Sequence, residues 1–271
     1  MSKFEILCVT MHQKDFSKLK EMNIHSDVVF ANQADMTAFA ECEFEGHRAR
    51  MITTNTRGIS KNRNISLEHR HPDAEIVLFA DDDMRFVDNC ETLVLEEFQK
   101  HPEADAIRFN MNAVSRRKLS MQTITHYHKA RRRETGSWGV CALAVRSSVL
   151  QEKNLRFNER FGAGTANFCG EDTIFIQRML NRNVRLYGSP VCIADIDQGE
   201  SSWFRGYDRQ YFVTTGMVFH EAYPWLCFPL ALRSALRFSK RDNCDLRMLS
   251  ILKYLICGIR KNSRERKKKE D

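Results

Sequence analysis

The stretch EIVLFADDD, residues 75–83, is the most informative part of this 271-residue chain for its fold. Its apolar part, residues 76–80, has the length of one strand and no polar residue, as is typical of a strand buried on both faces of a parallel sheet. Three aspartates follow at once. Because ligands bind outside the carboxyl ends of the strands in open α/β sheets, we expect Asp81, Asp82 and Asp83 to lie in a binding site.

Strand-like and helix-like segments alternate on both sides of this stretch. Predicted strands cover Phe4–Thr10, Asp27–Ala31, Met51–Thr54, Glu75–Ala80, Ala106–Met111, Gly139–Arg146, Val184–Tyr187 and Val191–Ile196. Predicted helices cover Asp15–Met22, Ile59–His71, Asn89–Lys100 and Thr173–Asn181. Strands that alternate with helices in this way indicate βαβ units, and hence an α/β domain with a largely parallel sheet.

The composition indicates one large folded domain. Hydrophobic residues make up 42% of the chain, and 12 Gly and 5 Pro are too few for a fibrous or disordered protein. The longest apolar run, Ala222–Leu232, is too short to span a bilayer. Met1–Glu5 lacks the apolar region of a secretory signal, and the nine cysteines form no CxxC pair. We therefore expect a reduced protein of the cytoplasm.

The net charge of +7 is concentrated in one part of the chain. Residues 231–271 contain 13 Lys or Arg against 5 Asp or Glu, whereas the other residues contain 29 against 30. A nucleic-acid-binding domain spreads basic charge over its folded face, so this distribution disfavours nucleic acid as a partner. It indicates a near-neutral domain with a basic tail.

Three adjacent aspartates are hard to explain by packing alone. A single Asp at a strand end is most often a turn former or a helix cap. Three neighbouring carboxylates repel one another unless a cation neutralises them, and hard oxygen ligands suit Mg²⁺ or Mn²⁺. Since Mg²⁺ is typically held by one or two carboxylates and by substrate phosphates, a nucleotide diphosphate is the expected substrate.

A second acidic pair, Glu171-Asp172, opens the predicted helix Thr173–Asn181 after the glycine-bearing loop Arg160–Gly170. Acidic residues at a helix start also act as simple caps, because they favour the positive end of the helix dipole. Here, however, the glycines allow the backbone to approach a ligand closely. One carboxylate group that holds a metal and another that acts as general base is the division of labour that group transfer requires.

The predicted helix Ile59–His71 begins within a basic segment. Arg57, Lys61 and Arg63 form either a solvated basic face or a contact with nucleotide phosphates near a helix N-terminus. Histidines are weaker candidates because HxH matches alone are not specific. We expect His126 and His128 on the surface, and the sequence leaves open whether His220 binds metal.

The four motifs together, strand–Asn32-Gln33, RGISKNRN (57–64), LFADDD (78–83) and FGAGTANFCGED (161–172), resemble the inverting nucleotide-sugar transferases of glycosyltransferase family 2. The order and spacing of these motifs are similar to those in bacterial enzymes that assemble capsular and other surface polysaccharides. The matching stretches run from Phe4 to about Trp203. The resemblance implies a GT-A fold, in which helices flank a Rossmann-like mixed sheet.

The resemblance also implies a division of the chain. A glycosyltransferase domain would cover residues 1–221, with a nucleotide-binding half at 1–112 and an acceptor-binding half at 113–221. A helical, basic, membrane-associating tail would cover 222–271. Trp138 and Trp203 could stack on acceptor sugars, although both are more often core residues.

The nucleotide-binding positions of the family match Thr10, Asn32 and Arg63, with Asp81 and Asp82 towards the ribose or metal-bound water. Many relatives have aspartate where this chain has Asn32, which leaves the base contact open. A uridine nucleotide is expected from the habit of the family, not from any residue in this chain.

The remaining carboxylates match the metal site and the base. Asp83, with Asp81, would hold Mn²⁺ or Mg²⁺ on the diphosphate. Asp172 matches the catalytic base of the family's ED motif, and Glu171 would support it or bind the acceptor. Asp172 would then take the proton of an acceptor hydroxyl, which attacks the anomeric carbon and inverts it.

The segment Leu246–Lys261 projects most of its apolar residues onto one arc of a helix and its basic residues onto the other. It either packs on the domain or lies on an anionic lipid surface, together with the aromatic segment Tyr223–Phe228. The second reading predicts a peripheral protein at the inner face of the cell membrane, with a lipid-linked or surface oligosaccharide as acceptor.

Two other functions stay open at this stage. A nucleotidyltransferase would share the nucleotide-binding half and acidic metal ligands, but it would usually carry a glycine-rich loop after the first strand, where this chain has Met11–Lys14. A catalytically inactive, transferase-like membrane scaffold need not retain Asp81–Asp83 and Asp172 together.

Overall fold

The computed structural model describes residues 3–114, 123–197 and 206–270. Its strands are β1 Phe4–Met11, β2 Asp27–Gln33, β3 Ala38–Phe44, β4 His47–Thr54, β5 Ile76–Asp81, β6 Met84–Phe86, β7 Ala106–Ala113, β8 His128–Lys129, β9 Leu143–Arg146 and β10 Leu186–Ile196. Its α-helices are α1 Lys18–Glu21, α2 Ile59–Glu68, α3 Cys90–Lys100, α4 Ser147–Glu152, α5 Glu171–Asn181, α6 Arg209–Ala222, α7 Cys227–Phe238 and α8 Met248–Glu270.

The strands form one mixed sheet in the order β3-β4-β2-β1-β5-β9-β7-β10-β6, and β8 pairs with β10. Strands β4, β2, β1 and β5 run parallel to one another, as do β7 and β10. The short strand β9 lies between β5 and β7 and runs antiparallel to both. Helices cover the sheet, so the mixed α/β architecture expected from the sequence is confirmed.

The register of the central strands brings the polar strand ends together. Val9 pairs with Asp81 across β1 and β5, and Thr10 pairs with Asn32 across β1 and β2. Parallel strands end at the same edge of a sheet. Thr10, Asn32 and Asp81 therefore share one edge although they are far apart in the chain.

Two apolar clusters pack on the sheet. One contains the fully buried Phe4, Phe30 and Phe109, and the other contains Phe79 and Phe175. In the second cluster, Phe157 stacks on Phe175 with 4.0 Å between ring centroids. This cluster holds α5 against the sheet and thereby sets the position of its first residues, Glu171 and Asp172.

Helices α7 and α8 pack on α6 around a cluster that includes Phe212, Ala231 and Leu255. Helices α6 and α8 approach closely because each has a glycine where it meets the backbone of the other. A Cβ atom at Gly216 would lie 2.1 Å from the Leu255 carbonyl oxygen, and one at Gly258 would lie 2.0 Å from that of Val213. Within the described ranges, none of the helices is both long and apolar enough to cross a bilayer.

The structure differs from the sequence-based expectation in several places. The two runs predicted between Val184 and Ile196 form one bulged strand, β10. Strand β3 was not predicted because its side chains are mostly exposed and carry no apolar run. The sheet is mixed and not largely parallel, since β3, β6, β8 and β9 all pair antiparallel.

Candidate active site

Arg63 occupies the centre of a carboxylate cluster at the polar edge of the sheet. Its side chain is 3% exposed, and its Nη1 atom lies 2.6 Å from Asp172 Oδ1. Its Nη2 atom lies 3.0 Å from Asp81 Oδ1, and Glu171 Oε1 lies 3.6 Å from Nη1. One guanidinium therefore joins the end of β5 to the start of α5, and the planar fork of arginine suits such a double contact.

The position of Arg63 follows from the packing of α2. The inward face of this helix carries Ser60, Arg63 and Leu67, all of them buried. The hydroxyl of Ser60 donates to the carbonyl of Phe161 at 2.7 Å, which ties α2 to the glycine-bearing loop. The centroid of the Phe157 ring lies 5.4 Å from the Arg63 guanidinium carbon, so the two side chains make a cation–π contact.

Asp172 is held at both carboxylate oxygens. Its Oδ1 accepts from Arg63, and its Oδ2 accepts from the backbone N–H of Val140 at 3.3 Å. Burial and the charge of Asp81 raise the pKa of Asp172, while Arg63 acts against this rise. A carboxylate that is fixed in place and more basic than usual is suited to accept a proton.

Glu171 lies beside Asp172 in the first turn of α5. Burial, followed by the charge of Asp172, raises the pKa of Glu171 to about 7. The turn begins at Gly170, whose φ of +91° favours glycine. A side chain there would also clash, since a Cβ atom would lie 2.3 Å from the Val218 side chain. Gly170 thus allows both carboxylates to face the site.

The three strand-end aspartates have different surroundings. The Asp81 carboxylate contacts Arg63 and accepts from the Cys141 thiol at 2.9 Å. The Asp82 carboxylate accepts from the hydroxyl of Thr10 at 2.6 Å, and Lys18 donates to the Asp82 backbone carbonyl at 3.2 Å. Asp83 is exposed, and its backbone carbonyl accepts from the N–H of Asp197 at 3.1 Å.

Asp83 carries the most altered carboxyl group of the three. Partial burial of its carboxyl group, followed by the charges of Asp81 and Asp82, raises the pKa of Asp83 to about 7. A nearby divalent cation would favour the ionised form. The surroundings of Asp83 therefore suit a carboxylate that is fully ionised only when a cation is bound next to it.

The donor set fits a cation that arrives on a nucleotide better than a protein-built metal cage. Over residues 3–114, 123–197 and 206–270, no three His, Cys, Asp or Glu side chains are grouped to hold an ion. Asp81 and Asp82 are already engaged by neighbours, which leaves Asp83 accessible. One or two carboxylates are nevertheless sufficient for Mg²⁺ when phosphates supply other ligands.

Asn32 has a structural role that was not anticipated. Its side chain is fully buried; its Oδ1 accepts from the Gln13 N–H at 3.0 Å and its Nδ2 donates to the Gln13 carbonyl at 2.9 Å. The Nδ2 also donates to the Thr53 hydroxyl at 3.0 Å. An aspartate could not make the two donations. Asn32 thus orients the loop that follows β1, next to Thr10.

Other residues singled out in the sequence lie outside this cluster. Arg57 is exposed and pairs with Asp35, and Lys61 is exposed, so only Arg63 of the three cations reaches the carboxylates. His220 lies 3.0 Å from Asn262 Nδ2. Burial, followed by the charge of Arg266, lowers the pKa of His220.

The predicted aromatic contacts have mixed placements. Trp138 is 4% exposed and belongs to the second core cluster, so its ring faces the interior. Trp203 lies outside the described residues. His126 is exposed, and His128 lies 3.1 Å from Glu134; both histidines line a cavity of about 420 Å³ next to Trp138.

Sequence reasoning missed three contributors to the site. Cys141 and the Val140 N–H contact Asp81 and Asp172, and Lys18 contacts the Asp82 backbone. Cys141 resembles any small core residue in sequence, and a backbone N–H leaves no sequence signal. Lys18 follows the first strand, where a cation near a phosphate site could have been suspected.

The fold is similar to that of a protein of known structure. S. aureus TarS, residues 1–349 in complex with UDP-GlcNAc, superposes with a TM-score of 0.59 at 15% identity, over 94% of this chain and 70% of that chain. A second structure of TarS 1–349 gives 0.57 at 15% identity, over 97% of this chain and 73% of that chain. A longer TarS chain gives 0.57 at 14% identity, over 92% of this chain and 41% of that chain.

No protein-family profile and no curated protein matches the chain by sequence. At this identity the structural likeness establishes the fold alone. The expected GT-A-like arrangement, a mixed sheet flanked by helices, is therefore confirmed.

Proposed function

We propose that this protein is an inverting glycosyltransferase that moves a sugar from a nucleotide-sugar donor, a UDP-sugar, to a hydroxyl group of an oligosaccharide. The observation that carries the proposal is the double contact of Arg63 with Asp81 and Asp172. It joins a strand-end aspartate suited to the nucleotide side with a basic carboxylate at a helix start. TarS, which has a similar fold, was crystallised with UDP-GlcNAc and with UDP.

Asp172 acts as the general base in this proposal. Both of its oxygens already accept one hydrogen bond, and a carboxylate oxygen retains a further lone pair for an acceptor hydroxyl. The hydroxyl oxygen attacks the anomeric carbon as Asp172 takes its proton, and the bond to the nucleotide diphosphate breaks. A single displacement inverts the anomeric centre, so an α-linked donor gives a β-linked product.

The nucleotide side is formed by Thr10, Asp81, Asp82 and Asp83. Thr10 holds the Asp82 carboxylate at 2.6 Å, and Arg63 and Cys141 hold that of Asp81, so these groups keep fixed orientations. Asn32 orients the adjoining loop through Gln13. Such preorganisation lowers the cost of binding a ribose and diphosphate.

Asp83, assisted by Asp81, would hold Mn²⁺ or Mg²⁺. A divalent cation supplies stabilisation of the charge that develops on a diphosphate leaving group. The pKa of Asp83, which is raised to about 7, also means that the free site does not have to carry three ionised aspartates side by side.

The acceptor in this proposal is a lipid-linked or surface oligosaccharide, and the biological role is capsular or other cell-surface polysaccharide biosynthesis at the inner face of the membrane. The sequence resemblance and the basic charge of residues 231–271 support this part. Glu171 would bind the acceptor or support Asp172.

A thermal-shift screen of the full chain with UDP, GDP, CMP and dTDP, each with and without Mn²⁺, tests the donor site. We expect a metal-dependent rise with UDP that Asp83→Ala abolishes. If none of the four nucleotides shifts the melting temperature, the result would contradict the proposal and favour an inactive scaffold. Release of UDP from a UDP-sugar, and its loss in Asp172→Asn, would then separate a transferase from a protein that only binds nucleotide.

A further inference from the structure

A stripe of apolar side chains on and before α7 faces solvent. Trp225 is 94% exposed, Phe228 55%, Leu232 48% and Leu236 45%. Within α7 the spacing of four residues turns successive side chains by only about 40°, so Phe228, Leu232 and Leu236 lie on one side of the helix. We call these four residues the α7 stripe.

The α7 stripe is separate from the face with which the helix packs on the domain. That face consists of Cys227, Ala231 and Ala235, which are buried against α6 and α8 in the cluster around Phe212 and Leu255. Small residues there let the helix lie close to its neighbours. The stripe therefore contributes little to folding, and large apolar groups that stay exposed mark interaction surfaces.

Basic side chains flank the stripe, and acidic ones are missing from the segment. Residues 222–241 contain no Asp or Glu, whereas Arg233, Arg237 and Lys240 are exposed. The adjacent α8 has the same combination, because Leu249 is 72% exposed and lines a shallow groove along α8 together with Lys253. Apolar groups beside cations are the pattern of a helix that lies in the interface of an anionic membrane.

We infer that the α7 stripe is the surface by which this protein lies on an anionic lipid bilayer. Phe228, Leu232 and Leu236 would enter the boundary between headgroups and acyl chains, and Trp225 would sit at the headgroup level that tryptophan favours. Arg233 and Arg237 would contact lipid phosphates.

Two other occupants fit the charge less well. A second copy of the chain docked face to face would bring Arg233 and Arg237 towards their own counterparts, and like charges across an interface are costly. A nucleic acid would match the cations but would gain little from the large apolar side chains.

The inferred surface keeps the aromatic segment Tyr223–Phe228 of the predicted lipid contact but uses a different helix. The apolar arc of Leu246–Lys261 is largely consumed by packing, since Ile251, Leu255 and Ile259 of α8 are buried. The lipid contact therefore moves from α8 to α7, and α8 serves mainly as its support. This inference goes beyond the proposed reaction and does not depend on it.

Flotation of the full chain with vesicles tests the inference without any assay of activity. We expect binding to phosphatidylcholine vesicles that contain phosphatidylglycerol, weak binding to pure phosphatidylcholine, and loss of binding at high salt. Arg233→Gln combined with Arg237→Gln should lower the partition coefficient about thirtyfold, because each charge near the surface contributes about fivefold.

The apolar part is tested by Phe228→Gln combined with Leu232→Gln, which should weaken binding at least about tenfold. The matched control is Phe39→Gln, which removes an aromatic ring that is 63% exposed on β3 and should leave binding unchanged. Thermal melts of each variant check that the fold is intact. Trp225→Phe should remove the blue shift of fluorescence on vesicle binding.

Three results would overturn the inference. They are no binding of the wild type to anionic vesicles at low salt, equal binding to neutral vesicles, and variants of the stripe that bind as the wild type does. Sedimentation at increasing concentration provides a further check. A dimer that Phe228→Gln dissociates would assign the stripe to a second copy of the chain and contradict the lipid contact.

Discussion

The Nη1 atom of Arg63 lies 2.6 Å from Oδ1 of Asp172, although the two residues are 109 positions apart in the chain. The contact joins α2, in the half proposed to bind the nucleotide, to the first turn of α5. Because Arg63 is buried and Asp172 accepts only one other hydrogen bond within the described residues, from Val140, this ion pair helps to orient Asp172. It also opposes the rise in the pKa of Asp172 that burial causes.

Arg63→Lys tests this relationship. A lysine keeps the charge but cannot make the forked contact with Asp81 and Asp172. We expect kcat/KM to fall about 100-fold, since misplacement of a catalytic group by about 1 Å costs that much. Arg63 lowers the pKa of Asp172, so a weaker contact should move the acidic limb of the pH–rate profile to higher pH.

The matched control is Arg57→Lys, which alters an exposed arginine in the same segment that pairs with Asp35. It should leave both kcat/KM and the pH–rate profile unchanged. An Arg63→Lys profile that superposes on the wild type would show that Arg63 does not tune Asp172.

Asp172→Asn and Asp83→Asn should separate chemistry from binding. Loss of a general base lowers kcat by about 10²–10⁴-fold, and Asp172→Asn should do so while metal-dependent affinity for UDP stays near wild type. Asp83→Asn should instead weaken metal-dependent UDP binding. Calorimetry with UDP and Mn²⁺, together with single-turnover transfer, measures both. Loss of UDP binding in Asp172→Asn, with Asp83→Asn unaffected, would reverse the assigned roles.

The buried Glu171 should make stability depend on pH. Its pKa is about 7 in the folded protein and 4.5 in its ordinary state. Between these values the folded protein keeps a proton that the unfolded chain has released, so the free energy of unfolding falls as pH rises from about 4.5 to about 7. The fall is at most about 3 kcal/mol.

Glu171→Gln should flatten this dependence, because glutamine stays neutral in both states. Urea unfolding at several pH values between 5 and 8 measures it. Glu75→Gln, at an exposed glutamate paired with Lys3, is the control and should keep the wild-type slope. A Glu171→Gln protein with the wild-type slope would contradict the assigned pKa.

Gly170→Ala should destabilise the fold more than Gly46→Ala. Both glycines have positive φ, +91° and +81°, so both substitutions cost about 1–2 kcal/mol of backbone strain. Only Gly170 also faces a neighbour, the Val218 side chain, which adds about 1–3 kcal/mol of overpacking. Chemical denaturation compares the two, and equal losses would show that Val218 moves aside freely.

The central strands and most helices could be predicted because their buried residues form apolar runs or recur at helical spacing in the sequence. Phe4–Met11 and Ile76–Asp81 are almost wholly buried, so local composition identified them. Strand β3 was missed because its side chains are largely exposed at the sheet edge. Its existence depends on pairing with β4 and not on a hydrophobic run.

The site was predicted as a set of residues but not as a network. The sequence indicated that Asp81–Asp83 and Glu171-Asp172 would carry chemistry. The family resemblance singled out Arg63 as a nucleotide contact, yet no residue pattern distinguished it from Arg57 and Lys61 or predicted its contacts with Asp81 and Asp172. The inward face of α2 carries buried polar groups, among them Ser60 and Arg63, so the hydrophobic periodicity that normally reveals a buried face is absent there.

The crossing of α6 and α8 at Gly216 and Gly258 has a consequence for how the chain folds during synthesis. Helix α6 leaves the ribosome before α8, so the close contact at Gly216 cannot form until Leu255 and Gly258 have emerged. The sheet, whose strands end by Ile196, can form first. During that interval the part of α6 that α8 later covers faces solvent, and a chaperone that shields apolar helix faces would have its binding site there.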